Sequence, residues 1–339
     1  MTASDPTLKS PKLLTILVPV FNEATNIEPL YAALQPVLAE LSPDYDAELL
    51  FTDNHSTDAT FEVLARLCAL DSRIRVLRFS RNFGFQRSIL TGYLNARGDA
   101  AIQLDCDLQD PPSLIIAFVR AWEQGHRVVY GIRHGRKEGP IITAQRKIFY
   151  RLINALSDTP LPLDAGDFRL VDRVVLDELA RIDDYHPYLR GTIAAMGFDQ
   201  HGIAYDRAER QRGESKFNFA SLLRLAVDGI LNHSIVPLRI ATFVGLTVSL
   251  LTFLGLCYYA IGRVFFAQDW PAGFATLAVL ILLSLSLNAL FLGIIGEYLG
   301  RIYQQVKKRP ISIVEKRLPP VTETRAGPNG PAAELGMSK

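Results

Sequence analysis

Apolar and polar positions fall into two regimes along the chain. From residue 13 to residue 130, short apolar runs alternate with stretches whose apolar residues recur every three or four positions. The runs Leu13–Val18, Glu48–Thr52, Arg73–Phe79, Ala100–Leu104 and Val128–Tyr130 read as strands. Helical spacing covers Ala24–Leu41, where Ile27, Leu30, Tyr31 and Leu34 share one face. It recurs over Asp58–Leu70, with Ser56 or Thr57 placed to cap its start, and over Gln86–Ala96 and Ser113–Gln124. Such alternation predicts a mostly parallel sheet with helices on both faces. Further on, a helix is expected over Ile141–Leu156, a loop feeding a short strand over Asp164–Arg169, and a strand over Phe198–Tyr205.

The second regime is apolar without alternation. Ile240–Gly262 and Trp270–Gly296 carry no charge, and each exceeds the roughly 20 residues that cross a bilayer core as a helix. The link 263–269 is short, so the pair predicts a two-helix transmembrane hairpin with both ends on one side. Arg239, Arg301, Lys307, Lys308 and Arg309 flank the outer ends against Arg263 alone in the link. The positive-inside rule then puts the amino-terminal half and the tail in the cytoplasm, as a multi-pass protein of the inner membrane. Phe217–Leu231 is amphipathic, and two placements suit it: packed on the catalytic domain, or lying in the membrane interface. The expected organisation is a polar tail at 1–12, a catalytic domain at 13–216, an interfacial helix at 217–236, the hairpin at 237–303, and a cytoplasmic tail at 304–339, disordered after 318.

Composition narrows the chemistry. The net charge of +1 gives no excess for nucleic acid. Three cysteines without a C-x-x-C pair, and six histidines without H-x-x-x-H spacing, speak against a zinc site or a disulfide framework.

In a parallel sheet, ligands bind beyond the carboxyl ends of the strands. The polar residues there are Asn22-Glu23, Asp53-Asn54, Asp105-Cys106-Asp107 and Arg133, all predicted on one edge. Two carboxylates one residue apart at a strand end can share a divalent cation with substrate phosphates. Read alone, D-x-D is more often a solvated acidic turn. Its strand context and the neighbouring tips make Leu104-Asp105-Cys106-Asp107 a metal and diphosphate site.

Four motifs occur in order: Val18-Pro19-Val20-Phe21-Asn22-Glu23, Asp53-Asn54-His55-Ser56-Thr57-Asp58, Asp105-Cys106-Asp107-Leu108-Gln109-Asp110-Pro111-Pro112 and Arg210-Gln211-Arg212-Gly213-Glu214-Ser215-Lys216. The set resembles inverting family-2 glycosyltransferases of the dolichyl-phosphate mannose synthase and bactoprenol glucosyltransferase type, over most of residues 13–310. The resemblance implies a GT-A-type, Rossmann-like domain. It implies a nucleotide-sugar donor, foremost UDP-glucose, with GDP-mannose and an amino-arabinose donor as alternatives. It also implies a polyprenyl phosphate acceptor and Mg2+ or Mn2+. Pro19, Phe21 and Glu23 would line the nucleotide pocket and Asp53 would contact base or ribose. Asp105 and Asp107, with Cys106 between them, would bind diphosphate and metal, and Gln109 would complete the metal shell. Arg133 and Arg146 would lie near phosphates, Arg210 and Lys216 on a loop closing over the donor, and Asp167 near the sugar or acceptor. His55 departs from the pattern, since many members have Gly there.

Elementary chemistry agrees with such an acceptor. A phosphate monoester is largely dianionic at neutral pH, its second pKa being about 6, so it attacks without a strong base. The site needs cations to hold two anionic groups together, and Arg suits this. Asp167 then orients an Arg or a hydroxyl. Arg169 and Arg190, taken singly, read as solvated surface residues. Two rivals remain: a processive polysaccharide synthase, which lacks support because neither Trp122 nor Trp270 ends a Q-x-x-R-W motif, and a non-catalytic membrane subunit. Small residues at Ser286, Ala289, Gly293, Gly296 and Gly300 suit helix packing within the chain or in a homo-oligomer.

Overall fold

The computed structural model describes residues 11–134, 165–185, 187–206 and 273–319, with positions 238, 241–248, 250, 251, 254 and 261. Its strands are β1 (Lys12–Val20), β2 (Tyr45–Asp53), β3 (Ile74–Phe79), β4 (Ala100–Gln103), β5 (Val128–His134), β6 (Ala165–Asp172), β7 (Gln200–Asp206) and β8 (Val314–Leu318). The helices are α1 (Ala24–Leu41), α2 (Thr60–Leu70), α3 (Phe85–Asn95), α4 (Leu114–Glu123), α5 (Arg173–Ala180), α6 (Leu189–Ala195) and α7 (Phe274–Val306).

The strands form one sheet in the order β7-β5-β6-β4-β1-β2-β3-β8. Pairings are parallel except those of β6 and β8. The expected mostly parallel sheet with helices on both faces is therefore what the chain forms. Side-chain alternation shows why. Leu14, Ile16, Val18 and Val20 of β1 join Leu49 and Phe51 of β2 in a core that includes residues of α1, α2 and α4. Leu17 and Leu50, one residue out of phase, join the opposite core with α3, α5 and α6. A strand apolar on both faces must be covered twice. The α3 helix lies so close that a Cβ on Gly92 would stand 2.1 Å from Leu17 Cδ1.

The amino ends of the strands are pinned by a buried polar cluster. Glu48 accepts from Thr15 Oγ1 at 2.8 Å, from Arg97 N at 3.2 Å and from the Arg75 guanidinium. At the far side of the sheet, Asp172 caps α5 by accepting from Val174 N at 2.9 Å. The same carboxylate takes Trp122 Nε1 at 2.7 Å and Arg127 at 3.0 Å.

Several expectations are corrected. Neither Ser56 nor Thr57 caps α2. Its first residue, Thr60, is instead held through N–H by Asp58 Oδ1 at 3.0 Å, while Ser56 Oγ accepts from Asn22 N at 3.0 Å. The helix beginning near Trp270 does not stop at Gly296. It continues to Val306, helped by an Arg301–Glu297 pair at 2.9 Å spaced i,i+4. Within it, Leu283–Val306 is long and apolar enough to cross a membrane, and none of it is buried. Gly293, Gly296 and Gly300 face open space in this single chain. The segment after that helix contributes β8, antiparallel to β3. Within the expected first span, 240–262, the described residues 241–248, 250, 251, 254 and 261 are helical, and the others lie outside the described residues. The expected helices at 141–156 and 217–236 also lie outside them.

Candidate active site

β1, β2, β4 and β5 run the same way, so their carboxyl ends share one edge. The parallel register sets Val20 opposite Asp53, then Asp53 opposite Arg78. Beyond these tips the backbone is strained. Asn22, His55 and Leu108 have φ of 57°, 63° and 57°, a region L-residues seldom occupy outside functional turns. At His55 the positive φ explains why glycine suits this position. His is among the residues that tolerate this region, and its Nδ1 donates to the Phe79 carbonyl at 3.0 Å.

Asp53 is fully buried. Its Oδ1 accepts from Ser56 N at 2.9 Å. Its Oδ2 stands 3.6 Å from Arg78 and makes no hydrogen bond among the described residues. Arg78 is braced from below by the Phe61 ring at 4.5 Å. Pro19 is buried under this tip and Phe21 is 41 % exposed beside it. Glu23 is anchored by its backbone N–H, which donates to Thr60 Oγ1 at 2.8 Å.

Asp105 lies two residues past β4, held by Gln103 Nε2 at 2.9 Å. In the antiparallel register Gln103 pairs with Arg169, so the next step outward brings Asp167 beside Asp105. Burial pushes the Asp105 carboxyl up to about 7, with the charges of Asp110, Asp167 and Asp107 adding and Arg133 opposing. Asp107 Oδ1 accepts from Gln109 N at 3.2 Å, so the backbone of Gln109, too, is bound to this carboxylate. Cys106 between them turns inward, its thiol in the core and raised by burial.

Arg133 reaches this site already engaged. It donates to Asp110 Oδ2 at 3.2 Å and to Tyr205 Oη at 3.2 Å. Tyr205 in turn donates to Asp110 Oδ1 at 2.5 Å. Burial disfavours the Arg133 charge most, yet Asp110, Tyr205 and Asp105 together outweigh it and its pKa is raised. Asp110 is completely buried. Sequence reasoning missed Asp110 and Tyr205 as partners; the one signal was a third carboxylate within the D-x-D motif. A Cβ on Gly166 would sit 3.1 Å from the Arg133 guanidinium, so β6 packs its backbone on that group.

Two arginines are not the solvated residues expected. Arg169 is buried and donates to the Gly166 carbonyl at 3.0 Å. Arg190 stands 3.4 Å from Asp167. Asp53, Asp105, Asp107, Asp167, Glu23 and Arg133 thus sit along one edge. Arg146, Arg210 and Lys216 lie outside the described residues. Among the described residues no three His, Cys, Asp or Glu side chains form a group able to hold a metal by themselves.

Residues 15–180 match glycosyl transferase family 2. Glycosyltransferase YkcC of Bacillus subtilis is 39 % identical over 303 residues, spanning 89 % of this chain and 93 % of that one. The chain belongs to glycosyl transferase family 2. This family-2 glycosyltransferase is also 34 % identical, over 89 % of its length and 97 % of the relative's, to the SfII prophage-derived bactoprenol glucosyl transferase of Shigella flexneri. A solved mannosyltransferase of Pyrobaculum calidifontis is more distant, at 17 % identity, 90 % and 88 % coverage and a TM-score of 0.42. The motif residues of this edge, from Pro19 to Asp167, fall inside the family match.

Proposed function

We propose that this glycosyltransferase moves a monosaccharide from a nucleotide-sugar, UDP-glucose first, onto a polyprenyl phosphate. The reaction takes place at the cytoplasmic face of the inner membrane, in a chain that crosses that membrane twice. The carrying observation is a carboxylate pair at the tip of β4, on one sheet edge with Asp53, in a chain whose apolar α7 is unburied. Likeness to the bactoprenol glucosyl transferase over most of both chains supports the lipid acceptor.

Each residue then has a task. Asp53, with an unshared buried Oδ2, accepts a hydrogen from the base or ribose. Pro19, Phe21 and Glu23 line the nucleotide side. Asp105 and Asp107, with the Gln109 amide, offer the hard oxygen donors that Mg2+ or Mn2+ prefers, leaving positions for donor phosphate oxygens. Burial raises Asp105 most, and the charges of Asp110, Asp167 and Asp107 add to it; that added negative charge is what a cation here would relieve. A divalent ion there would neutralise charge on the leaving nucleoside diphosphate. Arg133 is fixed by Asp110 and Tyr205 to face the reacting phosphates. Asp167, steadied by Arg190, orients the acceptor. Arg146, Arg210 and Lys216 clamp the anionic groups from segments beyond the described residues. The acceptor phosphate oxygen is the nucleophile, with inversion at the anomeric carbon.

Membranes carrying the chain, incubated with a panel of labelled nucleotide-sugars and undecaprenyl phosphate, test this. One lipid-linked monosaccharide is the expected product, and Asp107→Ala should abolish it without unfolding the protein. A polymer would indicate a processive synthase, and no product from any donor would indicate a non-catalytic subunit. Either sinks the reading, as does a fully active Asp107→Ala protein.

A further inference from the structure

Three segments remote in sequence meet at the C-terminal foot of α7. Gln305 near the helix end donates to the Asp183 carbonyl, and its Oε1 accepts from Tyr185 N at 2.9 Å. Arg87 donates to the Tyr185 carbonyl at 2.8 Å and lies 4.0 Å from its ring centre. Gln86 Oε1 accepts from Leu189 N at 3.2 Å. Ser80 N donates to the Ile313 carbonyl at 2.9 Å, and the Thr91 and Ser312 hydroxyls are 2.7 Å apart. The stretches 80–87, 183–189 and 303–313 therefore make one platform.

Its composition is unbalanced. The cations are Arg81, Arg87, Lys307, Lys308 and Arg309, against Asp183 and Asp184. Arg81, Lys307, Lys308 and Arg309 are exposed. The Tyr185 phenol is held below its usual range by a hydrogen bond from Arg87, against opposing burial, and then by the charges of Arg87, Arg309 and Arg81. These cations thus reach one spot. Apolar side chains stand among them: Phe85 is 45 %, Val306 72 % and Ile313 52 % exposed. Exposed basic and apolar residues interleaved at the end of an apolar helix match the headgroup layer of an anionic bilayer, where acyl boundary and phosphates lie side by side.

We propose that this platform docks on the anionic phospholipid headgroups of the bilayer that α7 enters, with Arg81, Lys308 and Arg309 on lipid phosphates and Phe85 at the acyl boundary. The inference rests on the membrane reading of α7 given above. It adds an orientation. The 80–87 loop follows the carboxyl end of β3, the edge that carries Asp53 and Asp105, so docking there turns the catalytic edge toward the membrane surface.

The full chain is reconstituted in vesicles of phosphatidylcholine alone, or of phosphatidylcholine mixed with phosphatidylglycerol, and amide exchange is followed peptide by peptide. Exchange over 80–87 is expected to slow several-fold on adding the anionic lipid. High salt, or the exposed double variant R81E/R309E, should remove that protection while leaving the protein embedded. F85S should weaken it under the same conditions. Exchange indifferent to lipid charge, or protection that persists in R81E/R309E, overturns the docking surface while leaving α7 as a membrane helix. Protection reproduced by inorganic phosphate over neutral vesicles also overturns it, marking a free-anion site. Release of the chain by alkaline carbonate would overturn the membrane reading itself.

Discussion

Asp105 shows how burial and neighbouring charge set the titration of one side chain. Burial raises its carboxyl most, the charges of Asp110, Asp167 and Asp107 add to this, and Arg133 offsets only part of it. With a folded-state value of about 7 against the usual 3.8, the native chain holds a proton that the unfolded chain has released. Stability from this group is therefore present at acid pH and is lost as pH rises from the unfolded value through the folded one. The melting temperature of cation-free protein should fall across that window. Added Mn2+ should restore it at neutral pH, and Asp105→Asn should flatten the slope. A melting temperature indifferent to pH in that range would refute the assignment. The pair Asp105 and Asp107 was legible in the sequence because D-x-D follows an apolar run. Asp110 was not, because its role depends on Arg133 and on Tyr205, which is 95 residues away. Arg169 looked like surface for a similar reason: a lone arginine gives no sign of burial until its strand is placed between two others.

At the scale of elements, legibility followed periodicity. β1 to β4 and α1 to α4 stand within a few residues of their expected places because alternation on two sheet faces and helical spacing leave a clear trace. The short helices α5 and α6 carry too few turns to show one. β8 was hidden for a different reason. Its sequence, Val-Glu-Lys-Arg-Leu, places three charges in a row, a composition suited to an edge strand that must resist further pairing. Its strand character comes from the β3 edge beside it. α5 starts at one residue, Asp172, which caps the helix and also binds Trp122 and Arg127. Asp172→Ala should cost about 2–4 kcal/mol, combining a lost cap with an unpaired indole N–H. Thermal unfolding of the full chain in detergent would measure it, and a loss below the cost of a simple cap would show that Trp122 finds another acceptor.

For the whole molecule, the decisive fact is that the chain leaves the long apolar helix α7 and immediately rejoins the sheet. Only residues 307–313 separate α7 from β8, a span of roughly 25 Å at full extension, and Gln305 is bound to the catalytic domain before that link begins. An eight-residue Gly-Ser insertion after Lys308 would add roughly 15 Å of reach. It should leave nucleotide-sugar binding unchanged and lower transfer to membrane-embedded polyprenyl phosphate. Transfer to a short-chain, water-soluble analogue should be spared. Equal loss on both acceptors would show that the insertion had damaged the site itself. β8 thus works as a ruler. On the membrane reading proposed above, it sets the altitude at which the site edge rides over the bilayer, and an enzyme held at one altitude would select acceptors by where their phosphate floats as much as by what that phosphate is attached to.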